Sequence, residues 1–252
     1  MQTVLEIEGV TVSFAGLTAV DNVSFSVDRG QICSIIGPNG AGKTTLFNAI
    51  TGFVLPSHGV VRFEGRVLSG RAPHRVAAEG VRRTFQNGGI FPEMSVLENV
   101  LAGTPQKTAA NPLEVMLRLK RSRAAESAAV ATALDLLDTM DIAALAYKYA
   151  GDLSFGQQRL VEITRAIAGE MRLLLLDEPA VGLSQAERVH LMSVMRKLAG
   201  RGITVVMVEH VIDLVMEVSD TIVVLNYGQV LASGTPEEIR ANRDVLEAYL
   251  GK

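Results

Sequence analysis

The residues of this 252-residue chain whose types and spacing could do chemistry fall into three short groups. The first is Gly37-Pro38-Asn39-Gly40-Ala41-Gly42-Lys43-Thr44-Thr45, which fits the pattern G-x-x-x-x-G-K-[ST]. Its glycines let backbone N–H groups point into one concavity, and a helix N-terminus behind them adds further donors. Such a loop holds phosphate oxygens. Lys43 would reach the β- and γ-phosphates as a point charge, and the Thr44 hydroxyl would ligate Mg²⁺. The second group, Asp177-Glu178, closes the apolar run Leu173-Leu174-Leu175-Leu176. An acid in the place of Asp177 suits the metal-holding role, and Glu178, aimed elsewhere by strand alternation, suits a carboxylate that polarises an attacking water. The third is Leu153-Ser154-Phe155-Gly156-Gln157-Gln158, just before a helix. Ser154 and the Gly156 N–H would again offer donors to an anion; alone, the stretch is a plausible helix cap.

The elements that must position these groups can be read in order. Residues 4–14 alternate apolar and polar, which predicts a strand ending near Gly16, with a second strand from Asn22 to Val27. Asp28-Arg29-Gly30 turns that strand into Ile32-Cys33-Ser34-Ile35-Ile36, which feeds the phosphate-binding loop. A further short strand is expected at residues 60–63. Closely spaced early strands followed by strand–loop–helix imply a small antiparallel sheet beside an α/β core. From Phe91 the texture becomes helical, notably at 128–140, and 111–123 carries Arg118, Lys120, Arg121 and Arg123. A solvated helix face explains that basic run, and contact with lipid headgroups or a partner is the alternative. The core resumes with a helix at 157–169, and the unbroken run before Asp177 predicts a strand buried on both faces. A helix at 185–198 and strands at 203–208, 221–225 and 229–232 follow, and Thr235-Pro236-Glu237-Glu238 opens a last helix with a capping box.

Composition narrows the function classes. The chain is 48% hydrophobic and 20% charged with net charge −3, ample for a buried core and against a general nucleic-acid binder. Cys33 is its only cysteine, so no internal disulfide is possible, and its place in a strand predicts a buried small hydrophobe. The start lacks the basic and apolar regions of a secretory leader, and no apolar run approaches the ~20 residues of a membrane span, so any membrane role is expected to come through partners.

Taken together, the three groups resemble those of the ATP-binding subunits of ABC transporters, over essentially the whole chain. The resemblance implies a RecA-like phosphate-loop NTPase core of class α/β with a small antiparallel β subdomain and a helical subdomain insertion. The core would span about 1–90 and 158–234, the helical part about 91–157 and a C-terminal helix about 235–252. It implies ATP and Mg²⁺ as cofactors, with residues 37–45 on the nucleotide and Thr44, Gln86 and Asp177 toward the metal. Glu178, His210 and Gln86 would serve catalysis, Gln86 as the glutamine that senses the membrane subunit and His210 as the switch histidine; as an isolated histidine, His210 could equally cap a strand end. Phe14 sits where an aromatic stacks on adenine, with a core role as the alternative. Ser154, Gly156 and Gln157 would close over ATP held by a second ATP-binding subunit, in a homo- or heterodimer. Two transmembrane permease subunits and, indirectly, a substrate-binding protein complete the implied partners, at the cytoplasmic face of a bacterial inner membrane.

Two positions depart from the family pattern. Phe155 replaces a glycine, and Ser184 stands where an aspartate is common, which bears on how two ATP sites are coupled. The Gln157-Gln158-Arg159 ending, the extra length at 105–125 and the tail from Gly234 to Gly251 look like importers of branched-chain and other hydrophobic amino acids. The tail is also similar to that of the ATPase for lipopolysaccharide export. A soluble ATPase of the same superfamily would need long insertions or tandem cassettes, a phosphate-loop kinase would not need residues 154–157, and a non-hydrolysing scaffold would not need Glu178.

Overall fold

The computed structural model describes residues 2–84, 89–104 and 120–250. Gln86 and most of the stretch at 105–125, with its basic side chains, lie outside them.

Alternating apolar residues build β1 (Thr3–Phe14) and β2 (Leu17–Asp28) into a long antiparallel hairpin. Its turn is Ala15-Gly16, at φ 43° and 90°. Two positive φ values match the twist of the flanking strands. β2 therefore begins well before the Asn22 that the sequence pattern predicts. Asn22 sits at φ 51° beside a register shift between Val10 and Val12, so it marks a bulge inside the strand and not its start. β4 (His58–Phe63) and the two-residue β5 (Arg66–Val67) complete a four-stranded sheet in the order β2-β1-β4-β5.

The second sheet has the order β10-β9-β3-β8-β7-β6. Its strands are β3 (Ile32–Ile36), β6 (Val81–Arg83), β7 (Leu173–Asp177), β8 (Thr204–Val208), β9 (Thr221–Asn226) and β10 (Gln229–Gly234). All pairings are parallel except β10 with β9. Every residue of β3, β7 and β8 is buried, as unbroken apolar runs in a parallel sheet require. Each fully buried leucine of β7 contributes about 1.5–3 kcal/mol. The register pairs Val208 with Ile35 on one side and with Asp177 on the other, so β3, β8 and β7 end level. From those ends the chain leaves through Gly37, Glu209 and Glu178. That carboxyl edge is where open α/β sheets place ligands.

The helices among the described residues are α1 (Lys43–Ile50), α2 (Pro73–Ala78), α3 (Val96–Gly103), α4 (Lys120–Thr139), α5 (Phe155–Ile167), α6 (Gln185–Gly200), α7 (Ile212–Val218), α8 (Pro236–Ala241) and α9 (Arg243–Leu250). The chain groups into two compact units. The first runs from the N-terminus through β6 and resumes over Met171–Val181 and from Arg188 onward; it holds both sheets. The second holds α3, α4, two short 3₁₀ turns, α5 and Gly182–Glu187. α5, expected from the sequence to return to the core, groups instead with the helical unit because it packs on α3. The expected C-terminal helix is two helices. Asn242 breaks them at φ −79°, ψ 118°, and its side-chain oxygen accepts from the Asp244 N–H to start the second. No helix among the described residues is long and apolar enough to cross a membrane.

Candidate nucleotide site

The phosphate-loop pattern becomes a strand, a glycine-bearing loop and α1. Gly37, at φ 154°, passes so close to Leu225 that a Cβ would lie 2.1 Å from its carbonyl oxygen. Gly42, at φ 98°, is the N-cap of α1, and a Cβ there would lie 2.4 Å from the Ala19 carbonyl oxygen. Both are glycine for want of room as well as for backbone freedom. Gly42 brings no side-chain acceptor, so the first-turn N–H groups of α1 have no side-chain cap. Thr44 is exposed on that turn, and Thr45 is half-buried.

Lys43 is buried, with Nζ donating to the carbonyls of Gly37 at 2.7 Å and Pro38 at 2.9 Å. Burial lowers its pKa from the ordinary 10.5, and the charges of Glu178 and Asp177 oppose that shift. The lysine therefore folds back onto the carbonyls of its own loop, a cation held where phosphate would arrive.

Asp177 is buried at the end of β7 and forms an ion pair with Arg83, Nη2 to Oδ2 2.7 Å. Its other oxygen, Oδ1, is buried with no hydrogen-bond partner among the described residues. An orphaned carboxylate oxygen is costly, and together with the exposed Thr44 hydroxyl it fits a hard, oxygen-loving cation such as Mg²⁺. Glu178 takes φ 48°, a conformation most non-glycine residues avoid. Its N–H donates to the Val208 carbonyl at 2.9 Å, and its Oε1 lies 2.8 Å from His210 Nε2. Asp177, Glu178, Lys43 and His210 thus meet at the carboxyl edge of one sheet.

Two participants were not legible as such. Glu209 is fully buried; its Oε1 accepts from the Ala180 N–H at 2.6 Å, and its Oε2 from the N–H groups of His210 at 2.8 Å and Val211 at 3.2 Å. It ties the turn after Glu178 to the turn carrying His210. In sequence it is only an acid beside a histidine. Arg83 stands three residues before Gln86 in the sequence, and its partner lies 94 residues away. An arginine on so short a strand is the one available signal.

Ser154 is the N-cap of α5 and forms a capping box with Gln157. The Gln157 N–H donates to Ser154 Oγ at 3.3 Å, and the Ser154 N–H to Gln157 Oε1 at 3.1 Å. Ser154 Oγ also donates to Glu187 Oε1 at 3.2 Å, and Gly156 packs so closely on the same carboxylate that a Cβ there would lie 2.3 Å from Oε1. Ser154 thus donates to an oxyanion, one from its own unit. Ser184 donates to Glu187 Oε2 through its N–H at 2.9 Å and its Oγ at 2.8 Å. Phe155 is half exposed, with the Arg159 guanidinium 5.7 Å above its ring. Phe14, at the hairpin tip, is 47% exposed, which removes it from the core. Gln86 lies outside the described residues. Ser154, Gly156 and Gln157 fall in the second unit, and the phosphate loop in the first.

A phosphate-loop strand, a strand ending in a buried aspartate followed by Glu178, and a mixed sheet of this order define a nucleotide-hydrolysing cassette. The ABC transporter family model matches residues 20–181, and a second model, described as branched-chain amino acid ATP-binding cassette transporter, matches residues 229–252. The chain belongs to the ABC transporter family, as one of its ATP-hydrolysing subunits. It is 43% identical to the high-affinity branched-chain amino acid transport ATP-binding protein BraF of Pseudomonas aeruginosa, covering 99% of this chain and 98% of that protein. It is 40% identical to the corresponding protein LivG of Escherichia coli K12, over 100% and 99%. Among solved structures, an ATP-binding cassette of an ABC transporter in its ADP conformation superposes with TM-score 0.86 at 32% identity, and a nucleotide-free cassette with 0.85 at 33%, each over the full length of both chains.

Proposed function

We propose that this chain binds ATP with Mg²⁺ at the edge built from residues 37–45, Asp177, Glu178 and His210, and that its hydrolysis powers import of branched-chain or related hydrophobic amino acids. The observation that carries the ATPase reading is the level ending of β3, β7 and β8, which assembles Lys43, Asp177 and the Glu178–His210 pair on one side of a sheet. The C-terminal match at 229–252 and the full-length likeness to BraF and LivG support the substrate class over the lipopolysaccharide-export alternative.

The N–H groups of residues 39–45 and Lys43 bind the phosphates, and Phe14 stacks on the adenine. Thr44, Asp177 and Gln86 would hold Mg²⁺, whose chemistry is to neutralise charge on the β- and γ-oxygens. Glu178 accepts a proton from, or orients, the attacking water, and His210, bonded to Glu178 Oε1, keeps that carboxylate aimed. Ser154, Gly156 and Gln157 contact the phosphates of ATP bound to a second ATP-binding subunit. Two permease subunits, served by a substrate-binding protein, dock beside Gln86 and residues 88–94 at the cytoplasmic face of an inner membrane, and the nucleotide cycle moves them.

Phosphate release by the purified chain, alone and reconstituted with its co-purifying membrane subunits, tests the reading. Glu178→Gln is expected to lower turnover by about 100-fold or more while ATP affinity stays within about threefold. Uptake of labelled leucine into vesicles should need ATP inside and fail with this variant. A Glu178→Gln protein that still turns over at the wild-type rate would remove Glu178 from the chemistry, and ATP-driven uptake of none of the branched-chain amino acids would remove the substrate class.

A further inference from the structure

We propose that Arg83 is a positioning residue for the metal-holding carboxylate: it clamps one oxygen of Asp177 to the phosphate-loop helix and so leaves the other for the cation. The proposal rests on the reading of Asp177 given above.

Arg83 ends β6 and Asp177 ends β7, neighbouring parallel strands. Their side chains are 7% and 3% exposed, with Nη2 to Oδ2 2.7 Å. The second terminal nitrogen turns to α1, where Nη1 donates to Asn48 Oδ1 at 2.7 Å and to Thr51 Oγ1, at the helix C-cap, at 3.3 Å. The guanidinium also lies 5.5 Å above the Phe47 ring. A planar fork thus spends one arm on the carboxylate and one on the helix that carries Lys43 and Thr44. A lysine in the same place could make the ion pair but could not reproduce both directions.

A buried ion pair serves stability only when further hydrogen bonds satisfy its remaining lone pairs. This one does not meet that condition, because Asp177 Oδ1 is buried without a partner among the described residues. The arrangement is complete only with something electropositive at Oδ1. Arg83 fixes the plane of the carboxylate and hence the direction of that oxygen. Charge alone predicts the opposite of positioning. A guanidinium beside a metal site repels Mg²⁺, so on electrostatics its removal would tighten metal binding. On positioning, its removal loosens it.

The test uses ADP, which avoids turnover, titrated calorimetrically into the full chain once with MgCl₂ and once with EDTA. The ratio of the two dissociation constants is the gain that Mg²⁺ brings. Arg83→Met is expected to cut that gain by about tenfold, the scale on which loss of a group orienting a metal ligand is felt, and to leave the EDTA affinity within about twofold. Arg83→Lys should recover only part of it. An unchanged or larger gain in Arg83→Met overturns the proposal, as does full recovery by Arg83→Lys, which would make charge sufficient. If Arg83→Met does not fold, Asn48→Ala frees the arginine from α1 while keeping the ion pair; a smaller loss in the same direction is expected, and an unchanged gain overturns the proposal. Wild-type protein that binds ADP in EDTA but gains nothing from Mg²⁺ also overturns it, whereas failure to bind ADP at all would sink the ATP-site reading itself.

Discussion

Glu209 shows how a residue can matter to the site without touching substrate. Its carboxylate accepts three backbone N–H groups, one from Ala180 after β7 and two from His210 and Val211 after β8. Glutamine is nearly isosteric but has one acceptor oxygen, so its amide nitrogen would face at least one N–H. Leaving a buried donor unsatisfied costs about 1–3 kcal/mol, more beside a group that was charged. Glu209→Gln should therefore lower the unfolding free energy by about 2 kcal/mol in a urea titration. A change below about 0.5 kcal/mol would mean that water or a shifted backbone replaces those acceptors. At this scale the sequence was informative where spacing is local and silent where pairing is distant. The run from Gly37 to Thr45 carries its own pattern, and Asp177-Glu178 is marked by the four leucines before it. The partners of Arg83 and the three donors to Glu209 come from chain far away, and no local pattern records them. Phe14 was ambiguous because a strand-end aromatic can face either way, and only its position at the hairpin tip makes it exposed.

Elements were legible in proportion to length and apolar contrast. β3, β7 and β8 are unbroken apolar runs buried on both faces, and these were plain in the sequence. β6 was not, since two of its three residues are arginines. α7 was not, because Ile212-Asp213-Leu214-Val215-Met216-Glu217-Val218 is β-branched at both ends and lacks a capping side chain. α3 lies within the stretch read as helical from Phe91, and its start is marked by Ser95 and Glu98, which form a full capping box. Capping acids give these helix starts a pH dependence. The Ser95 hydroxyl, then its backbone N–H, hold the Glu98 carboxyl below the usual 4.5. For Glu187 the Ser184 N–H leads, followed by the Ser184 hydroxyl. A carboxyl whose folded pKa is depressed adds stability above the unfolded value of about 4.5 and loses it as pH falls through the lower folded value. Acidification below about pH 4.5 should thus weaken the starts of α3 and α6. Backbone amide exchange at residues 95–98 and 184–187 should quicken there beyond its intrinsic rate, and Glu98→Gln with Glu187→Gln should flatten that pH dependence. Equal acid sensitivity in the double variant would assign it to other carboxylates.

For the whole molecule the open matter is how two compact units serve one nucleotide cycle. The phosphate loop belongs to the first unit, and Ser154 with Gly156 to the second. The second unit's serine is already engaged, Ser154 Oγ donating to Glu187 Oε1 at 3.2 Å with Gly156 packed against the same carboxylate. An arriving phosphate must therefore replace a carboxylate, and two such oxyanions cannot share the same donors without strong repulsion. If the phosphate belongs to ATP on a second subunit, that exchange and subunit association are one event, and Ser154 affects dimerisation without affecting binding by a monomer. With Glu178→Gln to stall hydrolysis, ATP should produce a dimer seen by size exclusion with light scattering, using the co-purifying ATPase subunit where the natural pair is mixed. Adding Ser154→Arg places a long side chain where the phosphate would sit, and the ATP-dependent dimer should disappear. ATP affinity of the isolated chain should stay within about twofold, because residues 37–45 are untouched. A double variant that still dimerises with ATP would show that Ser154 faces no partner nucleotide. One that loses ATP binding as a monomer would place both anion sites on a single nucleotide.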